Sequence, residues 1–186
     1  ELAYPVRLYN IGNRWRYERP QRGRVREFWQ LDVDMFGETG IDAEVEMIQV
    51  ADQIMRAYGA TPAMYEIRVN SRQLLNKKIE AAGLKGAVTV TDVVRLVDKK
   101  DKMESAEFKK SLEALVPSPA ELLKFFESND LAGDLKELSQ KLKNAGIKNV
   151  KFTPTTARGF DYYTDIVFEV FDKNPENNRS MFGGGR

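Results

Sequence analysis

The 186-residue sequence predicts an α+β fold in which a sheet domain, residues 1–70 and 151–186, is interrupted by a helical insertion, residues 71–150. Residues 6–36 alternate apolar and polar side chains with the period of two that is typical of strands. The insertion is rich in Lys and Glu and spaces its leucines as amphipathic helices do. Two later segments again have the extended pattern, residues 150–152 and 163–171.

A β-hairpin is predicted within residues 6–36, with its turn at residues 20–23, where Pro and Gly fall. Alternate residues of a strand share a face. The apolar face consists of Tyr9, Ile11, Trp15, Tyr17, Val25, Trp29, Leu31, Val33 and Met35. The polar face consists of Asn10, Arg14, Arg16, Glu18, Arg24, Arg26, Phe28, Gln30, Asp32 and Asp34. A hairpin favours antiparallel pairing, whereas periodicity leaves the strand order of the whole sheet open.

Sequence signals for the start and end of helices recur along the rest of the chain. A helix should run from Asp42, as its N-cap, to Tyr58, and end at Gly59. Its predicted buried stripe is Met47, Ile48, Ala51, Ile54, Met55 and Tyr58. Residues 65–70 predict a strand. Residues 118–121, Ser-Pro-Ala-Glu, have the form of a capping box with Pro at the first helical position. A leucine stripe before Gly146 predicts another helix: Leu135, Leu138 and Leu142.

Composition excludes several kinds of chemistry. The chain has no His and no Cys, so it cannot build a Ser-His-Asp triad, a His general base or an ordinary zinc site, and no metal site is expected. Without cysteine there is no disulfide framework, and a reducing cytoplasm is the default location. No apolar run approaches the roughly 18 residues that a membrane helix needs, so no membrane partner is expected. Residues 1–7 carry no signal-peptide pattern.

The distribution of charge points to a binding site. Six arginines and one acid lie between Arg14 and Arg26, and six acids without a base lie between Asp32 and Glu46. A cationic patch beside an anionic one suggests a site that holds an anion next to a cation. Arg16 and Arg26, on adjacent strands, can clamp phosphate oxygens, and Phe28 offers a flat surface for a base. The alternative is a solvated basic hairpin with one exposed aromatic ring.

Two more segments carry candidate residues, each with a plain structural alternative. Asp34 can bind an ammonium or imidazolium group, whereas Asp32 is expected to face solvent. Arg158-Gly159 marks a bend beside Tyr162 and Tyr163, which is read either as an anion site with tyrosine hydroxyls or as a turn with core tyrosines. The glycines of residues 183–185 allow close approach of a ligand, although a flexible linker has the same composition.

Together these segments resemble the histidyl-tRNA synthetase family. The stretch from Trp15 to Phe28, WRYERPQRGRVREF, is similar to motif 2 of class II aminoacyl-tRNA synthetases. RGFDYY, residues 158–163, is similar to the family's histidine-specific signature, and GGGR, residues 183–186, to the start of its glycine-rich second signature. The resemblance implies an antiparallel sheet flanked by helices, with residues 71–150 as the family's variable insertion near the tRNA acceptor arm.

The implied reaction is activation of histidine by ATP to histidyl-adenylate, followed by transfer to tRNA(His). By resemblance, Arg16 and Arg158 hold the α-phosphate from opposite sides and act catalytically. Glu18 and Arg26 help to position ATP, which is a substrate that comes with Mg²⁺, and Phe28 stacks under adenine. The absence of His is compatible with this chemistry, because the substrate's own carboxylate attacks and the protein has only to position and neutralise charge.

The resemblance also implies a histidine pocket. Gln30 would hold the α-amino group, Asp34 would face the imidazole or amino end, and Tyr163, with Tyr162 near it, would meet the imidazole. The family's enzymes imply a homodimeric parent. Motif 1, motif 3 and the anticodon-binding domain lie outside this sequence, so it is expected to be a catalytic-core fragment of a longer ligase. The competing interpretation is the synthetase-like, non-catalytic regulatory subunit of ATP phosphoribosyltransferase.

Overall fold

The computed structural model describes residues 3–21, 23–100, 103–128, 131–157, 162–177 and 180–186. The chain divides into two compact units, Glu1–Ala43 and Glu44–Arg186. The strands are β1 (Val6–Trp15), β2 (Glu27–Phe36), β3 (Tyr65–Ser71), β4 (Val150–Phe152), β5 (Ile166–Asp172) and β6 (Ser180–Gly185). The helices are α1 (Asp42–Ala57), α2 (Arg72–Ala82), α3 (Val90–Asp98), α4 (Ser105–Leu115), α5 (Pro119–Glu127) and α6 (Asp134–Asn144).

The first unit is the predicted hairpin. β1 and β2 pair antiparallel with Val6 opposite Phe36 and Trp15 opposite Glu27. Directly opposed residues lie on the same face, so this register confirms the predicted apolar and polar faces. The first strand is shorter than predicted and ends at Trp15. Further backbone bonds extend the pairing into the connection: the Arg16 amide donates to the Arg26 carbonyl at 2.9 Å, and Gln21 and Arg24 exchange bonds of 2.9 and 2.8 Å.

The second unit contains a four-stranded sheet in the order β4-β3-β5-β6. β3 pairs with β5, and β5 with β6, in antiparallel fashion, whereas β3 and the short edge strand β4 are parallel. The fold class is therefore confirmed, with one parallel pair that the sequence did not predict. Parallel strands need a long crossover, and here the chain between them runs through α2 to α6.

Helices α2 to α5 share an apolar core. Its fully buried members are Leu75, Ile79, Val93, Leu112, Val116 and Leu122. The leucine stripe of α6 is buried as predicted, and that helix ends before Gly146. Residues 71–150 are thus largely helical, and their behaviour as an independent insertion stays a prediction.

The predicted capping box at residues 118–121 is wrong in part. Helix α5 begins with Pro119 at its first turn, but the Ser118 side chain makes no capping hydrogen bond.

Helix α1 is fastened to β3 by a buried polar network. The Tyr65 hydroxyl donates to Asp52 at 2.5 Å, and Arg56 donates to the other oxygen of that carboxylate at 2.7 Å. Asp42 is the first residue of α1, which ends at Ala57, and Gly59 follows with a φ of 83° that favours glycine. Tyr58 was wrongly predicted as buried, because the helix ends before it and its side chain is 88% exposed.

The longest described helix, α1, has 16 residues, and within the described ranges no helix combines the length and apolarity needed to cross a membrane.

Replacing Leu112 by Ala tests the helical core. Leu112 is fully buried among the other core residues. The truncation should lower the free energy of unfolding by about 2–5 kcal/mol, because transfer energy is lost and a cavity remains. Denaturant titration measures the change. Leu115→Ala, in the same helix but only half-buried, is the matched control, and a loss as large there as at Leu112 would contradict the packing.

Candidate functional site

Arg16 and Phe28 are in direct contact on the hairpin. The guanidinium carbon of Arg16 lies 4.2 Å from the centroid of the Phe28 ring, in cation–π geometry. The Arg16 Nε donates to the Val25 carbonyl at 3.1 Å, which holds the side chain across the connection between the strands. This contact was not predicted from the sequence: the Arg16 guanidinium covers the face of the Phe28 ring that was predicted to receive a base.

The connection between β1 and β2 is organised by arginines around Glu18. The Arg24 guanidinium forms an ion pair with the Glu18 carboxylate at 3.1 Å, and the Arg26 Nε donates to the Glu18 carbonyl at 3.0 Å. Arg26 also lies over the Tyr17 ring at 5.5 Å. The structure therefore brings together Glu18 and Arg26, as the sequence predicted. Half-exposed guanidiniums clustered in this way can receive an anion such as a phosphate.

Further along the same face, a carboxylate links two neighbours. Asp32 pairs with Arg14 at 3.1 Å and accepts a hydrogen bond from the Gln30 amide at 2.5 Å. The expectation that Asp32 meets only solvent is thus wrong, since antiparallel register brings β1 side chains to this face. Asp34 is exposed, and among the described residues its carboxylate has no hydrogen bond or ion pair, so it is available to a cationic group.

In the second unit, two tyrosines pack beside the glycine-rich strand. Tyr163 is 9% exposed and Tyr162 is 67% exposed. Their rings are 4.5 Å apart between centroids, with the hydroxyls at 3.5 Å. A Cβ placed on Gly185 would come within 2.9 Å of the Tyr163 ring and 2.7 Å of the Ile166 carbonyl. Gly185 is therefore required for the close approach of β6 to this ring, and the flexible-linker alternative is wrong.

Sequence reasoning missed two acidic residues here. Glu44, on α1, is 6% exposed and binds the Arg186 guanidinium in a two-bond pair, at 2.5 and 2.9 Å. Burial, with help from the carboxylates of Asp134 and Glu44, raises the pKa of Asp165 above its ordinary value of 3.8. A signal for Glu44 existed in the sequence, because it lies four residues before Ile48 on the buried side of α1.

Arg158 lies outside the described residues, so its predicted role stays a prediction. The hairpin residues and the tyrosine pair belong to different compact units. In the described part of the chain, no group of three or more carboxylates is arranged to hold a metal ion. The residues present supply guanidiniums, aromatic rings and carboxylates, which suit a ligand with phosphates, a flat base and a cationic group.

The fold is that of histidyl-tRNA synthetases. A histidyl-tRNA synthetase from Nostoc sp. PCC 7120 superposes with a TM-score of 0.83 over 100% of this chain and 48% of its own, at 19% sequence identity. A Bacillus halodurans structure, described as an ATP phosphoribosyltransferase regulatory subunit/histidyl-tRNA synthetase, superposes with a TM-score of 0.80 over 99% of this chain and 52% of its own, at 19% identity.

Sequence comparison identifies the family. The sequence model of histidyl-tRNA synthetase matches residues 2–186, so the chain belongs to that family. A histidine–tRNA ligase from Leptospira biflexa serovar Patoc is 35% identical over 204 aligned residues. That alignment covers 100% of this chain and 46% of the relative, so the chain spans about half the length of the curated protein it matches.

Replacing Asp165 by Asn tests the buried carboxyl. Because the folded chain holds this proton more tightly than the unfolded chain, stability falls as pH rises from about 3.8 through the raised pKa. Asp165→Asn should therefore raise the melting temperature at neutral pH, and the gain should vanish below pH 3.8. Thermal unfolding followed across pH measures this effect.

Asp172, at the other end of β5, is the matched control. Its replacement should change the melting temperature in the opposite direction. Hydrogen bonds from the Asn177 side chain and the Asn174 amide lower the pKa of Asp172, so its charge stabilises the fold above about 3.8 and that contribution is lost on acidification. Asp172→Asn should lower the melting temperature at neutral pH. The same sign of change in both variants would contradict this account.

Proposed function

We propose that this chain is the substrate-binding part of a histidine–tRNA ligase, which activates histidine with ATP and transfers it to tRNA(His). The observation that carries the proposal is the polar face of the hairpin in a chain of this family. On that face Arg16 covers Phe28, and Gln30 and Asp34 follow along the same strand. Phosphate, base and amino acid groups can then be bound in sequence along a single strand face.

Activation requires charge neutralisation and positioning. A carboxylate oxygen of histidine attacks the α-phosphorus of ATP, the bond to the bridging oxygen breaks, and pyrophosphate leaves with that electron pair. The attacking carboxylate is already deprotonated, so no protein base is needed, which suits a chain without His. Transfer follows when a terminal ribose hydroxyl of the tRNA attacks the acyl carbon, gives up its proton to water, and displaces AMP. Guanidiniums that neutralise the phosphate oxygens are the main protein contribution.

The hairpin supplies the ATP contacts in this proposal. Adenine takes the place of the Arg16 guanidinium on the Phe28 ring, and Arg16 is then released toward the α-phosphate. Glu18 keeps the connection ordered through Arg24. Arg26, bound to the Glu18 carbonyl through Nε, retains its terminal nitrogens for ATP. Arg158 binds the α-phosphate from the opposite side, and both arginines act on the charge that develops there.

Histidine is recognised by Gln30, Asp34, Tyr162 and Tyr163 in this proposal. Asp32 orients the Gln30 amide through their hydrogen bond, so Gln30 can present its carbonyl oxygen to the substrate's ammonium group. The free Asp34 carboxylate meets a cationic group of histidine. The paired tyrosine hydroxyls meet the imidazole, with Gly185 leaving room for the Tyr163 ring.

The remaining partners are also proposals. Mg²⁺ would accompany ATP as part of the substrate. The helices between β3 and β4 contact the acceptor arm of the tRNA. The active protein is a homodimer of the cytoplasm.

A second candidate function has support from one structural neighbour. The Bacillus halodurans protein is described both as a regulatory subunit of ATP phosphoribosyltransferase and as a histidyl-tRNA synthetase, and this chain shares its fold. A regulatory protein of this fold would bind histidine without forming an adenylate. The arginines at positions 16, 26 and 158 favour the ligase, because phosphate chemistry needs them and histidine binding alone does not.

Histidine-dependent exchange between ATP and pyrophosphate tests the proposed function. The native polypeptide that carries this sequence should catalyse the exchange with histidine, because adenylate formation is reversible. The other standard amino acids serve as controls and should give only background exchange. Histidine binding without any exchange would contradict the ligase and favour the regulatory function.

Replacing Asp34 by Ala tests the histidine contact. The change should weaken histidine binding by about 1.5–3 kcal/mol, the range for a hydrogen bond to a charged group, and leave ATP binding nearly unchanged. Titration calorimetry of the native polypeptide with each ligand measures both affinities. Asp98→Ala, which removes a carboxylate from α3, controls for net charge. Equal losses for the two ligands would show that Asp34 has another role.

A further inference from the structure

The end of β3 and the start of α2 together hold one loop of the chain. Asn70, which is 2% exposed, donates from its side-chain amide to the Pro154 carbonyl at 2.8 Å and to the Thr156 carbonyl at 3.0 Å. Arg72, which is 5% exposed, donates to the Ala157 carbonyl at 2.6 Å. These two buried side chains flank Ser71 in the sequence. Together they bind three carbonyl groups of a single loop.

This loop is held from its beginning to its end. The Thr153 amide donates to the Val69 carbonyl at 2.9 Å, and the Thr156 amide donates back to the Thr153 carbonyl at 2.9 Å. Ala157 is buried and packs against the helical core. Burying a guanidinium costs free energy unless the group forms good hydrogen bonds. The short bond from Arg72 to a carbonyl therefore restrains the loop strongly.

The Ala157 carbonyl belongs to the peptide group that leads into Arg158. A peptide group is planar, so fixing its oxygen fixes the plane from which the chain continues to the next residue. Asn70 and Arg72 therefore restrain this loop up to its last described carbonyl, which immediately precedes the predicted phosphate-binding arginine.

We propose that Asn70 and Arg72 are positioning residues for Arg158. By holding the loop at residues 154–157, they restrain the backbone from which the chain continues to Arg158, and a displacement of about 1 Å of a reacting group can change a rate by about a hundredfold. This inference rests on the proposed function, in which Arg158 neutralises charge on the α-phosphate. It assigns a role to two buried residues that act through the backbone of a third.

The test is a set of double-mutant cycles in the native polypeptide that carries this sequence. Asn70→Asp keeps the size of the side chain but removes both N–H donors and turns a negative charge toward two carbonyl oxygens. Single-turnover adenylate formation at saturating ATP and histidine should slow by about tenfold or more. In an Arg158→Ala background the same change should alter the rate by less than about twofold, because the group it positions is already gone.

A control and a second variant keep the outcome interpretable. Ser71 lies between the two proposed residues and accepts a hydrogen bond from the Leu74 amide as the N-cap of α2. Ser71→Ala should lower the melting temperature and leave the adenylation rate unchanged. Arg72→Lys keeps the charge but loses the planar fork, and it should show the same coupling to Arg158 if Asn70→Asp does not fold. Rate losses of equal size with and without Arg158 would overturn the proposal.

Trypsin provides a readout that does not depend on catalysis. Cleavage after Arg158, followed by mass spectrometry, should be at least about fivefold faster in Asn70→Asp than in Ser71→Ala, because local opening governs proteolysis. If the wild type forms no histidyl-adenylate, the proposed function fails, and this comparison still tests the restraint on the loop. Equal cleavage rates in the two variants would refute the restraint in either case.

Discussion

The antiparallel pairing of β3 with β5 is the constraint on which the second unit depends. It joins Tyr65–Ser71 to Ile166–Asp172 across the whole helical segment, and it aligns Ser71 with Ile166. Closing so long a segment costs chain entropy, which the buried strands and the helical core must offset. Once the register is set, the end of β3 lies beside the start of β5, and the Arg72 amide can donate to the Asp165 carbonyl at 2.9 Å.

Several uncommon features of the unit follow from that register. Asn70 and Arg72 reach the loop before residue 158, and β6 adds to the far side of β5 with Gly185 against Tyr163. Arg186, next along the chain, then meets the buried Glu44 of α1. Buried charges of this kind are exceptions to the usual apolar interior of a protein. Such exceptions are found mainly where a protein needs a defined geometry more than it needs stability.

The hairpin obeys a different and more local rule. Its strands are neighbours in sequence, so its register follows from their alternation and from the one connection between them, residues 16–26. The same alternation that separates an apolar face from a polar one places guanidiniums, an aromatic ring and carboxylates in a row. Under the proposed function, this arrangement would supply charge neutralisation and stacking, by which phosphate chemistry can proceed in a chain that lacks His.

The sequence by itself determined the hairpin with its two faces, the leucine stripe of α6, strand β3 and the family signatures, because each depends on neighbours within a few residues. The tertiary structure alone decided the parallel pairing of β4, the burial of Glu44, and the partners of Asn70 and Arg72. These features arise from contacts between segments far apart in sequence. Periodicity in the sequence shows which face of a helix or strand is apolar. Only the register of the folded strands decides which polar groups contact one another on the opposite face.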